Sequence, residues 1–93
     1  MTRVVDLKRE PFDVYIGRPG HGQDGYFGNP FVVVRDGTRQ EVIERYLEYF
    51  LAKIERDSEF RSRVEDLRGK TLGCFCKPEA CHGDVIVAWL DQS

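Results

Sequence analysis

The feature that most constrains the fold is a helix start with a long amphipathic run behind it. Thr38 is followed three residues later by Glu41, the spacing of a capping box. The threonine hydroxyl takes an N–H of the first turn, and the glutamate reaches back to the threonine N–H. Val42, Ile43, Tyr46, Leu47, Phe50, Leu51 and Ile54 then recur at helical spacing. Glu44, Arg45, Glu48, Lys53 and Glu55 lie off that stripe. The pattern predicts a helix over 39–56 with one face that must be buried. Ser58 is placed to cap a shorter helix carrying Phe60, Val64 and Leu67 and ending near Gly69.

Short β-type runs supply what that face packs against. They are Arg3–Leu7, Asp13–Gly17, Phe31–Val34 and Thr71–Cys76, the last reading as a buried strand. Lys77–Ala80 is a short turn, and Cys81–Leu90 reads as a terminal helix burying Val85, Ile86, Trp89 and Leu90. Strands alternating with helices predict a small Rossmann-like α/β domain with some parallel pairing. About three to four strands would be flanked by about three helices. A chain of 93 residues hides only ~60–68% of its surface on folding, enough for one core, so 1–93 is expected to be a single domain.

Composition narrows the function classes. No apolar run approaches the ~20 residues of a membrane-spanning helix. The opening MTRVVDLKREPF lacks the apolar segment of a secretory signal. Fourteen basic against sixteen acidic side chains give a net charge of −2. That argues against electrostatic wrapping of nucleic acid but leaves room for a local basic pocket. The three cysteines all fall within Cys74–Cys81. An odd, clustered set is not a secreted disulfide framework, and a Cys74–Cys76 ring would be strained. The expectation is a reducing cytoplasm.

Two segments carry residues suited to chemistry. In the first, Cys74 to Asp84, a strand ends at Cys76 and a helix begins near His82. Ligands of open α/β sheets collect beyond the carboxyl ends of strands, where helix N-termini favour anions. Cys81 is then a candidate nucleophile, His82 a candidate acid or base, and Asp84 either a second proton-transfer group or a helix cap. Gly83 would lie against the ligand. Cys74 and Cys76 equally read as small buried apolar residues. A rival reading gathers Cys74, Cys76, Cys81 and His82 around zinc as a structural module. Its C-x-C-x4-C-H spacing departs from the usual C-x2-C pairs, and adjacent Cys81 and His82 must turn onto one ion.

The second segment is the Gly17–Pro30 loop, which holds five of the nine glycines and a polar tip at His21–Asp24. Long loops in small domains are often functional. Gly20, Gly22 and Gly25 match a dinucleotide fingerprint by letter, but no helix start follows them. Arg18 follows a strand and can pair bidentately with phosphate or carboxylate. Tyr26 or Phe27 can stack on a base, and Asn29 can read a polar edge. The same letters also describe a turn-rich loop with Phe31 as its anchor.

Tyr15-Ile16-Gly17-Arg18, Gly28-Asn29-Pro30-Phe31, Asp36-Gly37-Thr38-Arg39, and Leu67-Arg68-Gly69-Lys70 running into Leu72–Pro78 and Cys81–Val85 together carry a resemblance. Over nearly the whole chain the sequence resembles the family catalogued as domain of unknown function 4326, found in bacteria and bacteriophages. The resemblance implies no activity. Relatives reach the Gly-Asn-Pro-Phe segment sooner, often with tryptophan before the glycine; here His21–Tyr26 extends the loop and Phe27 stands at that position. The Cys-His block is also similar to that of domain of unknown function 488, which implies a helix-N-terminal pocket rather than a metal.

The leading expectation is an intracellular domain binding a nucleotide, a sugar phosphate or a nucleic-acid end where the loop meets the Cys76–Asp84 turn. Arg18 and the helix N-terminus would hold the anion, and glycosidic or phosphoester chemistry would be open to it. The alternatives are a non-catalytic protein-binding module of phage or bacterial origin and the zinc-stabilised module.

Overall fold

The computed structural model describes residues 2–19, 22–23, 25–75 and 79–92. The loop tip at His21 and Asp24, and Cys76 with its strand-end and zinc-ligand roles, lie outside the described residues. The fold is α/β, with strands β1 (Arg3–Asp6), β2 (Val14–Tyr15) and β3 (Thr71–Cys74). The helices are α1 (Arg39–Arg56), α2 (Ser58–Glu65) and α3 (Gly83–Gln92). The sheet order is β1-β3-β2, and both pairings are parallel.

The capping box forms as its letters demand: Thr38 Oγ1 accepts from the Glu41 N–H at 3.2 Å, and Glu41 accepts from the Thr38 N–H at 2.9 Å. The apolar stripe is narrower than its spacing suggests. Val42, Tyr46, Phe50 and Ile54 are buried, while Leu47 and Leu51 are exposed. The cap of α2 is Asp57 rather than Ser58. Its Oδ1 accepts from the Phe60 N–H at 3.0 Å, and its own N–H closes α1 on the Lys53 carbonyl.

Strand alternation divides the sheet into two faces. Leu72 and Cys74 point into one core cluster with Ile16, Tyr46, Phe50, Phe60, Val64, Ile86 and Leu90, so all three helices bury their apolar sides there. Gly73 faces the other way, under the Phe12 ring. A Cβ on Gly73 would lie 2.6 Å from that ring. The seven residues between β1 and β2 thus cross over β3, a short path that suits strands of four and two residues.

Phe31–Val34 is not a strand. Arg18 donates to the carbonyls of Asn29 and Phe31, and the Val32 N–H is taken by Asp36 Oδ2 at 2.8 Å. Side chains therefore occupy the groups a ladder would need. The segment turns instead, with Val34 in the left-handed region at φ 79°.

Candidate functional site

A cavity of about 250 Å³ opens beyond the carboxyl ends of β2 and β3. Four parts of the chain wall it. Tyr15, Gly17, Arg18 and Pro19 follow β2; Asn29 and Val33 come from the loop; Arg39, Val42 and Ile43 come from the start of α1; Cys74, Phe75, Ala80, Cys81 and His82 run from β3 to α3. The two sequence segments singled out for chemistry therefore meet at one hollow. The parallel sheet explains why: strands that all point one way deliver their exit loops, and the helix starts that follow, to the same edge.

Arg18 donates to the carbonyls of Asn29 and Phe31, the latter at 2.7 Å, and its own carbonyl accepts from the Tyr15 hydroxyl at 2.7 Å. It is thus a brace of the loop as well as a cation on the cavity wall. Burial, with a smaller contribution from Cys74, pushes the Tyr15 phenol above its ordinary value of 10.0. Asn29 is buried. Its Oδ1 accepts from the Phe31 N–H at 2.9 Å and its Nδ2 donates to the Val42 carbonyl at 3.4 Å, tying the loop to α1.

Cys81 and His82 sit at the start of α3. Cys81 lies two residues ahead of α3: its Sγ accepts from the Gly83 N–H at 3.3 Å, and Asp84 Oδ2 accepts from the Cys81 N–H at 3.1 Å. Asp84 thus reaches back to the chain entering α3, the cap-like alternative among its expected roles, while the sulfur serves the N–H two residues on and the Asp84 N–H bonds the Cys81 carbonyl. His82 Nε2 lies 2.6 Å from the Ile16 carbonyl, its Nδ1 lies 3.6 Å from Cys81 Sγ, and its ring meets Tyr46 edge to face at 5.0 Å. Cys74 Sγ is 2.6 Å from Cys81 Sγ, and the two form no disulfide. Cys74, Cys81 and His82 are the described residues whose donor atoms cluster closely enough to hold a metal.

Three of the foreseen residues are placed elsewhere. Tyr26 and Phe27 do not wall the cavity. They pack on each other and on Phe60, and Lys53 and Arg63 lie over the Tyr26 ring. The apolar demand of the core outweighs a stacking role on ligand. The aromatic pair on the wall is Tyr15 with Phe75, rings edge to face at 6.2 Å. Gly83 is buried under the sheet, where a Cβ would lie 2.6 Å from Ile16 Cδ1 and 2.9 Å from Val4 Cγ2. Its role is close packing, and its N–H serves Cys81. Arg39 was not foreseen. It is the first residue of α1 and donates to the Ala80 carbonyl at 3.3 Å, spanning from one wall to another. An arginine directly after a cap residue was the available signal, because helix starts gather at this edge.

The family model described as Domain of unknown function (DUF4326) matches residues 2–92. The chain is 37% identical over 86 residues to an uncharacterised 12.4 kDa protein from the nrdA-td intergenic region of Enterobacteria phage T4, covering 92% of this chain and 74% of that protein. It is 30% identical over 88 residues to the uncharacterised protein R718 of Acanthamoeba polyphaga mimivirus, covering 81% of this chain and 64% of that protein. No solved structure matches the chain.

Proposed function

The chain belongs to the family of domain of unknown function 4326, and from the chemistry of its cavity we propose that it binds a phosphorylated ligand there: a nucleotide, a sugar phosphate or a phosphorylated nucleic-acid end. One observation carries the reading. Among the described residues, the wall holds two arginines, Arg18 and Arg39, and no carboxylate, in a chain that is net acidic. Arginine presents a planar fork of N–H donors that matches phosphate oxygens. The rest of the wall is largely apolar, with Val33, Val42 and Ile43 beside the Tyr15–Phe75 pair. That surface suits the ring of a base or sugar. The cavity falls just under the ~300–1,000 Å³ of drug-sized pockets, so it suits one mononucleotide-sized group rather than a dinucleotide. Cys81 and His82 are buried on that wall, where a bound ligand would meet them.

Thermal denaturation with adenosine 5′-monophosphate, ribose 5-phosphate, inorganic phosphate and adenosine tests this. Ligand at 100 times its Kd adds about 2.7 kcal/mol, and each kcal/mol moves the Tm by about 4–8 °C at this size. The phosphorylated compounds should raise the Tm and adenosine should not. Arg39→Ala should shrink the response while leaving the ligand-free Tm nearly unchanged, because the hydrogen bond it removes is an exposed one. No shift with any phosphorylated compound would end the proposal.

A further inference from the structure

We propose that Cys74, Cys81 and His82 form a zinc(II) site in the wall of the cavity, with a fourth coordination position turned toward the cavity. The two Sγ atoms and one ring nitrogen lie within 4.8 Å of one another, and the three residues are 1%, 1% and 6% exposed. Thiolate and imidazole are the donors zinc takes; magnesium and calcium take oxygen. Two thiolates offset the charge of a divalent ion, and a neutral imidazole adds none, so the occupied site carries no net charge into an apolar wall.

The surroundings are those a metal-bound imidazole needs. The Ile16 carbonyl can only accept, so it fixes the proton of a neutral ring on Nε2 and turns the Nδ1 lone pair toward Cys81. A backbone carbonyl bonded to the far ring nitrogen commonly orients a histidine ligand. The Gly83 N–H supports charge on Cys81 Sγ. With Zn–S of about 2.3 Å and Zn–N of about 2.05 Å, tetrahedral geometry sets sulfur and nitrogen about 3.6 Å apart. The Cys81–His82 pair already stands at 3.6 Å. Both residues lie just ahead of α3, outside its helical repeat, which lets two adjacent side chains face one ion. The Cys74–Cys81 separation of 2.6 Å is shorter than the ~3.8 Å between two sulfurs on zinc, so an entering ion parts them by about 1 Å. Among the described residues three donors meet there, which leaves one position open, as in catalytic zinc sites. All three residues wall the cavity, so that position meets whatever occupies it. The assignment does not depend on which ligand the cavity takes.

The test uses the full chain in reducing buffer. Elemental analysis of protein purified without added metal should find one zinc per chain. Cobalt(II) added to the metal-free chain should give thiolate-to-cobalt charge-transfer absorption and intense d–d bands. Both readouts should be lost in Cys81→Ser and His82→Ala and kept in Cys76→Ser. Azide, a small anion, should shift the cobalt d–d bands by entering the open position. Should a variant fail to fold, the zinc content and cobalt spectrum of the unmodified chain decide alone. Absence of both metal signals, copper in place of zinc, a Cys74–Cys81 disulfide that survives reduction, loss of metal in Cys76→Ser, or azide-insensitive bands would each overturn the assignment. None of these readouts requires a phosphorylated ligand, so failure here and failure of the binding proposal are told apart.

Discussion

At the scale of residues, the buried polar groups beside the cavity do most to define it. Tyr46 is fully buried and donates its hydroxyl to the Phe27 carbonyl at 3.0 Å, so removing that donor leaves a buried acceptor unmatched. Tyr46→Phe should cost about 1–3 kcal/mol in urea denaturation. Burial, more than the neighbouring Tyr49 and Cys81, pushes the Tyr46 phenol well above its ordinary 10.0. The folded chain then keeps a proton that the unfolded chain releases. This contribution is complete below pH 10 and is lost as the pH climbs above it, so stability should fall on the alkaline side. Tyr46→Phe should flatten that alkaline limb. Glu41 behaves in the opposite sense. Its bonds to Thr38 hold its carboxyl below the ordinary 4.5, so the capping box supports α1 above that pH and is lost in acid. The Thr38–Glu41 box was legible in the letters because both partners lie within one turn. Arg39 was not, since its place on the wall depends on Ala80, forty-one residues away.

At the scale of elements, local patterns were readable and long-range substitutions for them were not. The residues of α1 follow from its cap and stripe. The missing strand at Phe31–Val34 does not follow from its apolar letters, because what prevents it is an arginine thirteen residues upstream of Phe31 taking that residue's carbonyl. The resulting turn stores strain: Val34, β-branched and 90% exposed, sits at φ 79°. Asparagine tolerates that conformation far better. Val34→Asn should raise stability by about 1 kcal/mol in urea denaturation without weakening ligand binding. Helix α3 gives the reverse case. Its first residue touches the sheet so closely that Gly83→Ala must displace the buried Ile16 side chain, at a cost of about 1–3 kcal/mol. Because Ile16 also supplies the carbonyl that orients His82, that variant should loosen zinc along with stability.

At the scale of the molecule, three parallel strands explain why distant segments share one hollow. Parallel pairing sends the exits of β2 and β3 to one edge, and the connections return α1 and α3 to start there. The meeting of the Gly17–Pro30 loop with the Cys-His turn was therefore readable from element order. Which aromatics faced the hollow was not, because Tyr26 and Phe27 are claimed by the core through Phe60, a contact that only the packing of α2 creates. Phosphate binding at this hollow is tested most directly by a nitrogen-15 NMR titration of the full chain with adenosine 5′-monophosphate. Amide shifts should concentrate at Gly17, Arg18, Asn29, Arg39 and His82, and be strongly reduced in Arg39→Ala. Shifts confined to the outer faces of α2 and α3, or none at millimolar nucleotide, would contradict it.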